Sequence, residues 1–180
     1  MSIDFQYYSL LVNVWLLTYM ATLDELETRG DLTKVTVRLT FPDVTRRSLY
    51  VSPQVRDWIQ KDLFELAAFE QSNIAPRMQA FALFKMFISG EALSEGEMFR
   101  LMLPLESDIY ELKSPDLRFF GWFYRPAVFI AVAADTMERV HTVAGLSSGY
   151  VKAVSLARDK MDLDPPKYIE GASVSHVFSV

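Results

Sequence analysis

From Lys34 to Phe41, polar and apolar side chains alternate without a break, with Val35, Val37, Leu39 and Phe41 on one side and Lys34, Thr36, Arg38 and Thr40 on the other. A period of two belongs to a strand with one face buried and one in water, and Pro42-Asp43 marks its exit. Ser52-Pro53 then supplies an N-cap followed by proline at the first helical position. Val55, Trp58, Ile59, Leu63 and Leu66 keep helical spacing to about Gln71, where Ser72-Asn73 interrupts. A second helix is predicted from Pro76, carrying Met78, Phe81, Leu83, Phe84 and Phe87 before Gly90. The two make a helical hairpin with a broad apolar face. Met98 to Leu105 reads equally as a short helix or an edge strand.

Three short strands are predicted next, from Ile109 to Leu112, Phe119 to Tyr124 and Val128 to Val132. Ser114-Pro115-Asp116 and Arg125-Pro126 provide the turns between them. The middle strand is aromatic on both faces, which predicts a central strand covered on each side, and Gly121 within it predicts a bulge or a close backbone approach. After Ser147-Ser148-Gly149, Val151, Val154, Ala157 and Met161 share one helical face, and Pro165-Pro166 ends the helix. The last residues, with Val174, Val177 and Phe178, read as a loose tail or one more strand.

At the other end, Thr22 to Gly30 predicts a short charged helix closed by glycine. Phe5 to Met20 carries no charge and includes Leu10, Leu11, Val12, Val14, Trp15, Leu16 and Leu17. It falls short of the roughly 20 residues that span a bilayer, and Asp4 stands where a signal peptide carries cations. It reads as a buried first helix, with a membrane-surface helix or a partner-binding helix as alternatives, and Met20 offers a second translation start. Helices grouped ahead of a run of strands argue for an α+β fold. The expected architecture is a short antiparallel sheet backed by the helical hairpin, with an extra apolar N-terminal helix and a C-terminal helix. The expected organisation is a helical extension over 1–30, one α+β domain over 31–170 and a tail over 171–180.

Composition narrows the chemistry. The 180 residues include 13 Phe, 8 Tyr and 3 Trp, ample for one core, and no cysteine, which excludes disulfides, thiolate metal sites and cysteine nucleophiles. The absence of cysteine suits a cytoplasmic location. A net charge of −5 means that the strongly basic field of a free-standing nucleic-acid binder is missing. There is no Gly-rich phosphate loop, no HExxH and no G-x-S-x-G elbow. The two histidines, His141 and His176, lie far apart in the chain with no clustered carboxylates beside them, so no metal site and no cofactor is expected.

Residues 109 to 141 carry one family signal. Leu112-Lys113 ends a strand, Arg118-Phe-Phe-Gly-Trp-Phe opens the next, and Phe129-Ile-Ala-Val runs on to Arg139-Val-His141. This pattern resembles the core of the RelE/HigB-type toxin superfamily, including its phage-encoded relatives. Those proteins order their elements as a strand, a helical hairpin, three antiparallel strands and often a C-terminal helix. The chain departs from them in being longer and acidic, and in lacking the lysine pair many phage-type members carry after the third strand.

The resemblance implies metal-independent cleavage of mRNA in the ribosomal A site, by attack of a 2′-hydroxyl on the adjacent phosphate. Lys113, Arg118 and Arg139 would clamp the phosphate, and His141, whose ordinary pKa of about 6.5 suits both acid and base roles, would carry the proton. Tyr124, Arg125 and Lys152 would bind RNA. Implied partners are mRNA and the ribosome, with an antitoxin or another protein. Read locally, Lys113 and Arg118 would instead pair with Glu111 or Asp116, Arg139 would be a solvated strand end, and His141 an ordinary loop histidine.

The alternative function is a non-catalytic phage or prophage interaction protein that uses the sheet for binding, with residues 5–20 mediating self-association. The two readings differ in one feature. A nuclease gathers the four cations in one groove, and an interaction module presents an apolar patch.

Overall fold

The computed structural model describes residues 21–69, 73–171 and 174–178. The expected apolar helix over 5–20, and the self-association assigned to it, lie outside these residues. No helix among those described is long and apolar enough to cross a membrane. The fold is α+β, built on a six-stranded mixed sheet.

Thr22 accepts from the Glu25 N–H while the Glu25 carboxylate accepts from the Thr22 N–H, a capping box that starts helix α1 (Leu23–Arg29). Gly30, at φ 82°, closes it. Ala21 donates to the Asp162 carbonyl and Leu26 is buried, so this segment is packed into the body of the domain.

Strand β1 is only Thr33–Lys34. The period-two burial nevertheless continues to Thr40, with Val35, Val37 and Leu39 packed against the core and Thr36, Arg38 and Thr40 exposed. The predicted alternation is present, but its hydrogen-bonded part is short because the antiparallel partner, β2 (Ser48–Val51), has only four residues. Phe41, expected on the buried side, is 99% exposed.

Ser52 caps α2 (Pro53–Lys61) as its sequence predicts. The helix stops well before Gln71 because the chain tightens, the Leu63 N–H reaching back to the Trp58 carbonyl and seating Leu63 in the core. Helix α3 (Pro76–Ser89) ends at Gly90 in the left-handed region, as predicted. The ambiguous stretch after it resolves as edge strand β3 (Phe99–Leu101). Strands β4 (Tyr110–Lys113), β5 (Leu117–Arg125) and β6 (Val128–Thr136) form the antiparallel run.

The strand order is β1-β2-β6-β5-β4-β3, and β2 lies parallel to β6. The expected all-antiparallel sheet is therefore mixed, because Ser48–Val51 returns beside β6 across a long connection. All eight residues from Leu117 to Tyr124 are buried, which confirms β5 as a central strand covered on both faces. Leu83, Phe84 and Phe87 of α3 and Val55 of α2 pack on one face against Phe119, Phe123 and Phe129. The other face carries Phe120, Trp122 and Ile130 under helices α4 (Met137–Thr142) and α5 (Leu146–Lys160), with Val140, Val151 and Val154 inward. The register slips between Phe120 and Gly121, leaving Val132 as the extra residue of a bulge in β6.

Two sequence expectations are corrected beyond this point. The third strand does not run on to Arg139 and His141: Thr136 accepts from the Arg139 N–H and starts a helix there. The C-terminal segment contains helix α6 (Val174–Phe178), with Val177 buried and Phe178 against Phe99 and Phe123.

Candidate functional site

Lys113 closes β4 and Arg118 opens β5, and the register places them directly opposite one another, with Arg118 in turn opposite Asp135 of β6. Lys113 and Arg118 both line a cleft of about 540 Å³ against α3, walled by Met78, Leu83, Met86 and Met98. The structure thus brings these two predicted cations together.

Both are engaged within the molecule. The Lys113 ammonium donates to the Gly96 carbonyl. Arg118 Nη1 donates to the carbonyls of Ser114 at 2.6 Å and Leu117 at 2.8 Å, and Arg118 Nε lies 3.3 Å from Glu111 Oε1. Glu111 is wholly buried and pairs on its other side with Arg100 Nε. A charged row, Arg100–Glu111–Arg118, therefore crosses β3, β4 and β5. Burial lowers the pKa of the Arg118 guanidinium and of the Lys113 ammonium, with the Glu111 charge opposing the shift in both. Gln79 of α3 fixes the adjoining turn, donating to Asp116 Oδ2 at 2.8 Å and accepting from the Asp116 N–H and the Ser114 hydroxyl.

Arg139 lies on α4, not in the cleft lining, and bonds Asp135 Oδ2 at 3.1 Å. The same carboxylate oxygen accepts from the Tyr150 hydroxyl at 2.7 Å, and the Tyr150 ring stacks on Phe120 at 4.6 Å. Burial, then the Asp135 hydrogen bond, pushes the Tyr150 phenol upward. His141 and Lys152 sit exposed on α4 and α5 with no hydrogen bond or ion pair among the described residues. Tyr124 is buried, and Arg125 covers its ring at 4.0 Å while bonding its hydroxyl and the Pro166 carbonyl. The Arg125 guanidinium thus occupies the Tyr124 ring face that a base would need. Two buried carboxylates, Glu111 and Asp135, flank the Arg118 position, an arrangement that disfavours an approaching phosphate.

Exposed apolar side chains flank the same cleft and continue around α3. Helix α3 buries Leu83, Phe84, Phe87 and Ile88, yet leaves Met78 and Phe81 about half exposed, beside exposed Phe64, Phe69 and Ile74. Met78 and Phe81 were expected on the inward face. The apolar residues of the helix are too many for one face, and the sheet covers only part of them. On its far side from the Lys113 cleft, α3 walls a groove of about 250 Å³ together with α2 and residues 33–37. The sequence signal for this surface was present: Pro76–Ser89 has too many apolar residues for a single face.

No protein-family model, curated protein or solved structure matches the chain.

Proposed function

We propose that the protein works by binding another protein through the apolar surface around α3, and does not cut RNA. The observation that carries this reading is that α3 leaves apolar side chains exposed on both flanks, Phe81 with Phe64 on the groove beside residues 33–37 and Met78 with Ile74 on the cleft beside Lys113. Exposed large apolar side chains gathered along one helix mark interaction sites. The engagement of Lys113, Arg118 and Arg139 with internal acceptors supports the same choice. A RelE-like core is part of the proposal: it is supported by the succession β2, α2, α3, then β4, β5, β6 and α5, with β1, β3 and α4 standing outside that order. The endoribonuclease reading ranks second, resting on Lys113 and Arg118 sharing one cleft.

The test replaces Phe81 with a photo-crosslinking phenylalanine analogue in cells expressing the full chain, with Lys152 as the control position. A discrete adduct at 81, absent at 152 and lost in a folded Met78→Asp variant, is expected. Equal, diffuse labelling at both positions contradicts the proposal.

A further inference from the structure

The segment after β1 combines two features that together specify a kind of ligand. The Lys34 N–H points away from the sheet and is capped by Glu27 Oε1 at 3.3 Å, whereas the Val35 N–H points inward to the Leu49 carbonyl at 2.8 Å. In an extended chain this alternation turns the N–H groups of Thr36 and Arg38 outward. Among the described residues, no backbone N–H or C=O of Thr36, Val37, Arg38 or Leu39 has a partner. The period-two burial persists through all four, so the segment holds a strand's side-chain pattern without a neighbouring strand. Glu27 caps the beginning of this edge, and among the described residues no hydrogen-bond partner follows along its continuation.

The second feature is the groove alongside. Val35 and Val37 form one wall, and Ile59, Leu63, Phe81 and Phe84 the others. Lys34, Arg56 and Arg77 line it, and no carboxylate does, although the chain as a whole is acidic. Arg56 already pairs with Asp57, while Arg77 lies over the Phe64 ring at 5.9 Å and Arg38 is exposed beside the open edge.

We propose that residues 36–39 dock an extended peptide as an added strand, its alternate apolar side chains entering the groove and its acidic residues meeting Lys34, Arg38 and Arg77. Main-chain hydrogen bonds supply the affinity, and the groove and its cations supply the selection. The occupant is a foreign peptide and not a second copy. Antiparallel self-pairing centred on Thr36 would set Arg38 opposite Lys34 of the copy, and like charges directly opposite one another are unfavourable. The inference rests on the protein-binding reading above and gives it a mode and a partner chemistry.

The test is selection from a random twelve-residue peptide library on the full chain, followed by calorimetry with the enriched peptide. Wild type is compared with Thr36→Pro, which removes an outward donor where an edge strand tolerates proline, and with Arg77→Glu. Circular dichroism and thermal melting check that both variants fold. The expected motif alternates apolar residues with a period of two and carries flanking Asp or Glu. Its binding should weaken about tenfold in Thr36→Pro, the scale of one or two main-chain hydrogen bonds, and weaken with salt and in Arg77→Glu. A helical-period motif, or binding indifferent to Thr36→Pro, overturns strand addition while leaving a protein-binding surface. A wild-type dimer abolished by Thr36→Pro assigns the edge to self-association and also overturns it. No enriched peptide, together with no adduct at Phe81, removes both readings.

Discussion

Arg118 Nε stands 3.3 Å from Glu111 Oε1 with only a tenth of the Arg118 side chain exposed and none of Glu111. Removing one member of a buried pair strands the other charge in a poorly solvated site. Glu111→Ala is expected to destabilise the protein by roughly 3–5 kcal/mol, and Arg118→Ala by less, because Glu111 keeps Arg100 as a partner. Arg139→Ala should change stability far less, because that side chain is 64% exposed and Asp135 keeps the hydrogen bond from Tyr150. Urea unfolding of the three variants separates a structural arginine from a surface one.

Gly121 is fixed by the bulge. A β-carbon built there would lie 1.9 Å from the Ile130 carbonyl oxygen and 2.8 Å from its carbon, both backbone atoms that cannot turn aside. Gly121→Ala is expected to cost about 3 kcal/mol or more. The result would be seen as a large fall in soluble yield and melting temperature.

The C-terminal helix is a core element. Val177 is wholly buried, its carbonyl accepts from Ala127, and Phe178 contacts Phe87, Phe99 and Phe123 while the Arg47 guanidinium lies over its ring. Truncation before Val174 should lower stability by about 3 kcal/mol, the scale of losing one large core side chain. A chain with an unchanged urea midpoint would contradict this packing.

The amount of this structure legible in the sequence varied with how local its cause is. The cap at Ser52, the glycine stops at Gly30 and Gly90 and the close backbone approach at Gly121 are set by neighbouring residues and were readable. Strand β2 was missed because four residues show no period, and its parallel partner lies 80 positions away in Val128–Ala131. Helix α6 was missed because its burial depends on aromatics contributed by α3, β3 and β5. Of the candidate site, the adjacency of Lys113 and Arg118 was legible as facing strand ends, and their engagement with internal partners was partly foreseen in the Glu111 pairing. The outward-facing Met78 and Phe81 were misassigned because helical periodicity does not say how much of a helix its sheet can cover.

Asp108 gives the account a pH signature. Burial raises its carboxyl above the ordinary value of 3.8, opposed by the Gly171 N–H and the Arg158 charge. A carboxyl with a raised folded-state pKa favours the folded state below its unfolded pKa, and that contribution is lost as pH rises through the folded value. Stability should therefore fall as pH climbs from about 4 through this window. Asp108→Asn keeps an acceptor for Gly171 and suits the left-handed backbone at φ 52°, so it should remove that dependence and raise the neutral-pH melting temperature.

Whether the protein cuts RNA is decided by mapping RNA 5′ ends after induced expression of the wild type and of Lys113→Ala/Arg139→Ala/His141→Ala. This triple variant spares the structural Arg118. The account predicts the same growth and the same 5′ ends in both at good soluble expression. Growth arrest with new codon-phased cleavages in the wild type, lost in the folded variant, would contradict it and restore the nuclease reading.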